Sequence, residues 1–213
     1  MDEIVQQVFQ GIVDGDQDQV AEKVDSALQS GVPARTILEE GMLAAMAEVG
    51  RLFEEGECYV PEMLMSARAM KAGLAKLQPS LKQTDVKVAG TIAIGTVKGD
   101  LHDMGKNLVG MMLEGAGFTV KDLGVDVSPD AFVAAADTVD VIGLSALLTT
   151  TMGHMKDALN ALETAGKRTK VKVIVGGAPV TEDFARSIGA DGYAADASRA
   201  VALTKSLISP KVK

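Results

Sequence analysis

One short loop of the chain carries residue types that could bind a metal ion. Asp100 and His102 stand two residues apart, and Gly105 follows three residues later. A carboxylate beside a histidine can accept the proton of one ring nitrogen, which fixes the tautomer and strengthens the other nitrogen as a metal ligand. A glycine without a β-carbon would let a large flat ligand approach the backbone. The pattern therefore indicates a metal site, although Asp-x-His in a loop is also typical of a local hydrogen bond or a helix cap.

The segments on either side of this loop predict how it is held. Apolar residues between 86 and 94 indicate a buried parallel strand, and residues 104–116 have the pattern of an amphipathic helix. A loop that joins a strand to a helix in a parallel sheet lies at the carboxyl edge of the sheet, where ligands bind. We therefore expect residues 95–103 to form a ligand-binding loop.

Strands and helices alternate through the rest of this region. We predict strands at 118–122, 139–144, 171–175 and 191–195, and helices at 129–138, 151–165, 181–188 and 196–208. The alternation implies an α/β domain with a doubly wound, five-stranded parallel sheet of the Rossmann-like kind. Two further loops, the hydroxyl-rich residues 145–151 and the Gly-Gly turn at 176–179, then reach the same edge. They could form a groove for a long ligand, but they also fit an ordinary helix cap and an ordinary turn.

The first part of the chain predicts helices only. Four amphipathic stretches fall within residues 1–78, the third opening with Pro33 and the fourth with Pro61. Four such helices with short loops imply a bundle. Its many methionines fit an adaptable core or, alternatively, an apolar cover over a flat ligand. The polar residues 79–85, which begin with proline, predict a linker to an α/β domain at 86–213.

Composition argues against several functional classes. The 213 residues carry a formal net charge of -8, no long basic run and few aromatic residues, which argues against nucleic-acid binding. A single cysteine, Cys58, excludes an internal disulfide and a cysteine metal cluster. No apolar run is long enough to span a membrane, and the N-terminus lacks the pattern of a signal peptide. We therefore expect a cytoplasmic protein that binds neither nucleic acid nor membranes.

The usual phosphate-binding motifs are missing. Gly95 is followed by Thr96 and Val97 rather than by Lys-Ser or Lys-Thr, and no Gly-x-Gly-x-x-Gly follows the first predicted strand. These differences argue against a nucleotide hydrolase and against a dinucleotide-binding domain. The third predicted strand ends at Leu144 and Ser145, whereas a signalling phosphoacceptor domain would carry an aspartate there.

Three separated motifs together resemble a known family. They are similar to the cobalamin-binding signature of methionine synthase and of the small corrinoid proteins of methyltransferase systems. The motifs are Asp100-x-His102-x-x-Gly105, Ser145-x-Leu147 and Gly176-Gly177. Residues 56–71 also resemble the helical cap of this family, so that the resemblance covers nearly the whole chain. It implies a cobalamin or related cobamide cofactor that cycles between methyl-cobalt(III) and cobalt(I).

The resemblance also implies roles for individual residues. The imidazole of His102 would replace the lower nucleotide base of the cobamide as the cobalt ligand, the base-off, His-on form, and Asp100 would hold it. Thr151 stands where methionine synthase-like domains have a serine that completes a relay to the aspartate, and Tyr59 would lie over the upper face of the cobalt. The residues expected to contact the cofactor are Tyr59, Gly99, Asp100, Leu101, Asp103, Met104, Gly105, Ser145, Leu147, Thr149, Thr151, Gly176, Gly177 and Ala178.

The function implied is that of a methyl carrier that is not catalytic alone. The chain has no zinc site and no barrel-sized second domain, and His154 and Cys58 have no evident partners. One methyltransferase would place a methyl group on the cobalt, a second would move it to coenzyme M or tetrahydrofolate, and a reductive activator would be a third partner. Two alternatives are a cobalamin-binding mutase subunit, against which the helical cap argues, and a cobalamin-based sensor, for which no output domain is left.

Overall fold

A helical unit and an α/β unit make up the structure, a computed structural model that describes residues 2–81 and 90–208. The helical unit contains α1 (Glu3–Val13), α2 (Gln17–Gln29), α3 (Ala34–Thr36), a π-helical segment (Ile37–Leu43), α4 (Ala44–Glu54) and α5 (Val60–Leu81). Because α3, the π-helical segment and α4 are continuous, the unit has the four helical rods that the sequence predicts. No helix in the described part of the chain is long and apolar enough to cross a membrane.

Capping and apolar spacing explain these helices. The carboxylates of Asp2 and Asp16 accept hydrogen bonds from the first turns of α1 and α2, where free N–H groups need partners. The apolar residues three and four apart on α1, α2 and α5 are fully buried and form the core of the unit. They include Val5, Val8, Ile12, Val20, Val24, Met63 and Met70. Of the five methionines on the third and fourth rods, Met42, Met46, Met63 and Met70 are core residues, as the simpler interpretation of the methionines holds, whereas Met65 is 49% exposed.

The predicted linker is wrong over its first residues. Pro79 lies inside α5, which continues to Leu81. Proline has a φ angle that suits a helix and removes only one backbone hydrogen bond, so the last turn can still form around it. Residues 82–85 of the predicted linker lie outside the described residues, and the boundary between the two predicted domains stays a prediction.

The α/β unit has a five-stranded sheet in which every pair is parallel. Its strands are β1 (Thr91–Thr96), β2 (Thr119–Asp122), β3 (Val141–Ser145), β4 (Lys172–Gly176) and β5 (Gly192–Ala194), in the order β2-β1-β3-β4-β5. The helices are α6 (Met104–Gly115), α7 (Pro129–Ala135), α8 (Gly153–Thr164), α9 (Glu182–Ser187) and α10 (Ala197–Ile208). This confirms the predicted fold class.

Element boundaries differ modestly from the prediction. The first strand was predicted at residues 86–94, but it begins at Thr91 and extends to Thr96, while residues 86–89 lie outside the described residues. The other elements of this unit begin and end within three residues of their predicted positions. The strands read as continuous apolar runs because helices cover both faces of the sheet, and Ile92, Ile142 and Val173 are fully buried.

The strand order indicates where in the sheet a ligand would bind. The chain leaves β1 toward β2 on one side and returns to β3 on the other, so the order reverses between β1 and β3. Ligands of open α/β sheets bind at such a reversal, outside the carboxyl ends of the strands. Thr96 pairs with Ser145, and Ser145 pairs with Gly176, so the last residues of β1, β3 and β4 lie side by side.

Candidate functional site

Asp100 lies at this reversal and joins the two loops that flank it. Its side chain is fully buried. Oδ1 accepts a hydrogen bond from the backbone N–H of His102 at 3.1 Å and lies 2.8 Å from Nδ1 of the same histidine. Oδ2 accepts from the backbone N–H groups of Leu147 at 2.8 Å and Leu148 at 3.2 Å, and from the hydroxyl of Thr151 at 2.7 Å. One carboxylate therefore ties the loop after β1 to the loop after β3.

The contacts of Asp100 determine its charge. Burial alone would raise the pKa of this carboxyl, but the hydrogen bonds donated by Thr151, His102 and Leu147 outweigh it and hold the pKa well below its usual range. The group is therefore a carboxylate at neutral pH, and Nδ1 of His102 carries the proton that it accepts. In the neutral imidazole, Nε2 of His102 then has a free lone pair. The histidine side chain is 51% exposed, so this nitrogen is available to a ligand.

The backbone of His102 is also fixed to the sheet. The hydroxyl of Thr96, the last residue of β1, donates to the carbonyl oxygen of His102 at 2.8 Å. Thr96 is fully buried, so this bond is shielded from water. Thr96 was not among the predicted site residues, and its only signal in the sequence is a hydroxyl at the end of a strand just before the Asp-x-His pattern.

A buried lysine anchors the helix that follows the loop. Lys106 in the first turn of α6 is 3% exposed, and its Nζ donates to Oδ1 of Asp122 at 2.6 Å and to Oδ1 of Asn107 at 2.6 Å. Asp122 is the last residue of β2. Burial is the largest single effect and would raise the pKa of Asp122, but the hydrogen bonds from Lys106 and from the N–H of Gly124, together with the charge of Lys106, outweigh it and lower the pKa. This pair fixes the start of α6, which carries Gly105, to the neighbouring strand.

The glycines of the site have two different explanations. A β-carbon on Gly177 would lie 1.9 Å from the carbonyl oxygen of Ala146, and Gly177 has a φ of 135°. Only glycine fits there, because the loops after β3 and β4 come into backbone contact. A β-carbon on Gly105 would meet no atom within 4 Å. Packing of the chain does not require glycine at that position, so the open space beside Gly105 fits the approach of a ligand.

Large apolar side chains are exposed at this same edge. Leu101 is 71% and Met104 86% exposed, and both follow β1; Leu147 and Leu148, which follow β3, are 43% and 41% exposed. Exposed apolar residues that cluster around a few polar groups are typical of a binding surface for a largely apolar ligand. Three of these four, Leu101, Met104 and Leu147, were predicted to contact the cofactor.

The other predicted residues are placed as follows. Ser145 and Gly176 end β3 and β4, and Gly99, Thr149 and Ala178 are exposed on the loops after β1, β3 and β4. Asp103 accepts a hydrogen bond from the side chain of Asn107 at 3.0 Å. Tyr59 belongs to the helical unit, where its ring is exposed and its N–H donates to Glu62 at 2.8 Å. Contact of these residues with the cofactor stays a prediction.

The prediction that His154 and Cys58 have no partners is wrong. Nδ1 of His154 lies 2.9 Å from Oδ2 of Asp157, one turn further along α8. The thiol of Cys58 is 3.6 Å from the carbonyl oxygen of Tyr59. Burial, with a smaller effect of Glu62, raises the pKa of the Cys58 thiol, so it stays protonated and is a poor nucleophile.

The donor set limits what kind of metal could bind. Among residues 2–81 and 90–208, no group of three or more histidine, cysteine, aspartate or glutamate side chains could hold a metal ion. A metal that already carries most of its ligands could bind to Nε2 of His102 without such a group. A metal in a macrocycle is of this kind, and its flat apolar body fits the exposed leucines and methionine and the open space at Gly105.

Comparison with known proteins agrees with this arrangement. Residues 90–202 match the family model of a B12 binding domain, and residues 4–78 match a second B12 binding domain model. A dimethylamine corrinoid protein of Methanosarcina acetivorans is 45% identical over 99% of this chain and 98% of its own. A cobalamin-binding protein from Desulfitobacterium hafniense has a TM-score of 0.81 with 30% identity over 95% of this chain and 98% of that one. The methanol:cobalamin methyltransferase complex of Methanosarcina barkeri has a TM-score of 0.85 with 29% identity over 99% of this chain and 81% of that chain.

These matches extend over both units and confirm the resemblance. The cofactor is accordingly a cobamide. The chain belongs to the family of B12-binding corrinoid proteins.

Proposed function

We propose that this protein carries methyl groups on a bound cobamide between two methyltransferases. The observation that carries the proposal is the buried Asp100, which holds Nδ1 of His102 at 2.8 Å and leaves Nε2 exposed as a single protein ligand. The relatives support the role, since one is named a dimethylamine corrinoid protein and another structure is a methanol:cobalamin methyltransferase complex. When bound, the cobamide supplies a cobalt centre that can accept a methyl group and deliver it to another molecule.

His102 would be the lower ligand of the cobalt, in place of the cobamide's own base. Asp100 orients the imidazole and makes Nε2 a better donor, because the carboxylate accepts the Nδ1 proton. A proton taken up on Nε2 would remove the lone pair and release the histidine from the metal. The hydroxyl of Thr151 and Nδ1–H of His102 both donate to the carboxylate of Asp100. These bonds would hold the pair whether or not Nε2 is bound to the metal.

The remaining loops would bind the two ends of the cofactor. The open face at Gly99, Leu101, Asp103, Met104 and Gly105 would receive the corrin ring. The nucleotide tail would enter the groove at the ends of β3 and β4, lined by Ser145, Leu147, Thr149, Gly176, Gly177 and Ala178. The helical unit, residues 1–78, would act as a cap that excludes water from the cobalt, with Tyr59 over its upper face.

The partners follow from what this chain lacks. We infer a substrate-specific methyltransferase, a second methyltransferase that passes the methyl group to coenzyme M or tetrahydrofolate, and a reductive activator of the corrinoid. The donor we propose is a methylated amine, because the 45% identical relative is named for dimethylamine. A cytoplasmic location fits these partners and the single cysteine of the chain.

Electron paramagnetic resonance of the cobalt(II) form tests the ligand. The protein is uniformly labelled with ¹⁵N and loaded with unlabelled hydroxocobalamin, which is then reduced by one electron. A histidine ligand gives a doublet splitting from ¹⁵N, whereas the cofactor's own base gives a triplet from ¹⁴N. We expect a doublet that His102→Ala abolishes.

His154→Ala is the matched control, because the chain has only two histidines. His154 also pairs with an aspartate through Nδ1, so it tests whether any histidine of this kind would serve. We expect His154→Ala to keep the doublet. A triplet in the labelled wild-type protein would show that the cofactor keeps its own base and that the proposed ligand is wrong.

A further inference from the structure

Asp126, in the loop between β2 and α7, has an unusual backbone conformation. Its φ angle is 53°, and it is the only non-glycine residue with a positive φ in the described part of the chain. This left-handed conformation costs free energy for a residue with a side chain, although aspartate tolerates it better than most residues. Such strain persists where the surrounding contacts require it, often at functional sites.

The contacts of Asp126 are with the loop that carries the metal-ligand pair. The backbone N–H of Gly99 donates to Oδ1 of Asp126 at 2.7 Å. The backbone N–H of Asp126 donates in turn to the carbonyl oxygen of Asp100 at 3.0 Å. Side chain and backbone of one residue therefore hold two consecutive residues of the loop, and the left-handed turn allows both contacts at once.

The residues on both sides of the contact between Asp126 and Gly99 are held by further contacts. The N–H of Val127 donates to the carbonyl oxygen of Thr96 at 2.9 Å, so the residue after Asp126 is fixed to the end of β1. Gly99 also has a positive φ, 79°, and a β-carbon there would lie 3.7 Å from Cγ2 of Thr151. Gly99 therefore lies near the side chain of Thr151, whose hydroxyl donates to Asp100 at 2.7 Å.

We propose that Asp126 is a positioning residue for the Asp100–His102 pair, acting through its hydrogen bond to the N–H of Gly99. The proposal rests on the proposed role of His102 as a cobalt ligand. Asp100 uses both oxygens in short bonds to two different loops, so a small displacement of the peptide after Gly99 breaks several of them. Asp126 fixes the position of that peptide, although its own side chain does not touch His102.

Three substitutions at this position separate the possible roles. Asp126→Asn keeps an acceptor oxygen and tolerates the left-handed conformation. Asp126→Gly tolerates the conformation but has no acceptor, and Asp126→Ala has neither advantage. Asp130→Ala, which removes another exposed carboxylate from the first turn of α7, controls for the change in net charge.

The first measurement uses the protein without cofactor. Two-bond ¹H–¹⁵N spectra of ¹⁵N-histidine-labelled protein report which ring nitrogen of His102 carries the proton. We expect the Nδ1-protonated form in the wild type, in Asp126→Asn and in Asp130→Ala. We expect it to be lost in Asp126→Gly and Asp126→Ala, and thermal melting confirms that these variants are folded.

The second measurement is the affinity for hydroxocobalamin. Asp126→Ala and Asp126→Gly should each bind about tenfold more weakly, as expected for one lost hydrogen bond to a charged acceptor, and Asp126→Asn should stay within about threefold of the wild type. Wild-type behaviour of Asp126→Gly would overturn the proposal, because the backbone conformation alone would then suffice. A defect in Asp126→Asn equal to that of Asp126→Ala would also overturn it.

The two measurements distinguish this proposal from the proposed function. The histidine spectra need no cobamide, so they decide the role of Asp126 even if the cobalt(II) spectrum shows that His102 is not the ligand. If the ¹⁵N doublet is present but the histidine spectra of Asp126→Ala and Asp126→Gly match the wild type, the proposed function stands and the role of Asp126 is refuted.

Discussion

Thr151→Val would remove the hydroxyl that links the loop before α8 to the Asp100–His102 pair. Valine has nearly the shape of threonine, so the change deletes a donor without opening a cavity. The hydroxyl lies 2.7 Å from Oδ2 of Asp100, and the two residues are 5% and 0% exposed. Water therefore does not reach the carboxylate to replace the lost bond.

Because the hydrogen bond between Thr151 and Asp100 is buried, its loss should have a large effect on the free energy of unfolding. A hydrogen bond to a charged, buried acceptor contributes about 1.5–3 kcal/mol, so the free energy of unfolding of the protein without cofactor should fall by about that amount at pH 7. The same loss should raise the pKa of Asp100 toward its usual range, because the Thr151 hydroxyl no longer stabilises the carboxylate. Because the folded-state pKa of Asp100 is lowered, its stabilisation is fully present above the unfolded pKa of about 3.9 and is lost as the pH falls below it. The unfolded chains of the two proteins titrate alike, so the difference between wild type and variant should be constant near neutral pH and should shrink only as the pH falls below the raised folded-state pKa of Asp100 in the variant.

Urea unfolding at several pH values measures this effect. Thr151→Ser keeps the hydroxyl and should recover most of the lost stability. Thr150→Val makes the same chemical change on an exposed neighbour and should change the free energy of unfolding by less than about 0.5 kcal/mol. Equal losses in Thr151→Ser and Thr151→Val would show that packing of the side chain, and not its hydrogen bond, stabilises the site, and the reasoning would be refuted.

Three further predictions concern the site, its cover and the function. Gly105→Ala should leave the melting temperature unchanged but weaken hydroxocobalamin binding at least about tenfold. Gly177→Ala should instead lower the melting temperature, because its β-carbon would overlap Ala146. A normal affinity for Gly105→Ala would contradict the interpretation that the open space beside Gly105 receives a ligand. Tyr59→Ala should speed the oxidation of the reduced cobalt form, followed by its absorption spectrum, and an unchanged rate would argue against a cover at this position. The isolated holoprotein should accept one methyl group per cobalt from a free methyl donor and then stop, and repeated turnover by the protein alone would contradict the carrier role.

The order of elements could be predicted because each signal is local. Apolar runs between glycine-rich loops predict strands, and the Asp-x-His pattern at the end of one of them predicts the contact between Asp100 and His102. The short pairing of His154 with Asp157 was also local and could have been found from the spacing on a helix.

Other features of the site depend on residues far apart in sequence. Asp100 meets Leu147, Leu148 and Thr151 only because β1 and β3 are neighbours in the sheet and end at the same level. The contact of Asp126 with Gly99 spans 27 residues and needs a left-handed turn that no periodicity signals. The sequence predicted which loops meet, but the individual hydrogen bonds between them require the register of the strands.

The bonds that Asp100 accepts from Leu147 and Leu148 come from the main chain. Every amino acid except proline has such an N–H group, so the clamp on the aspartate does not depend on which side chains stand at positions 147 and 148. Those two side chains are instead exposed at the ligand face. Substitutions at these two positions, proline excepted, can therefore change the exposed surface while the carboxylate of Asp100 stays in place.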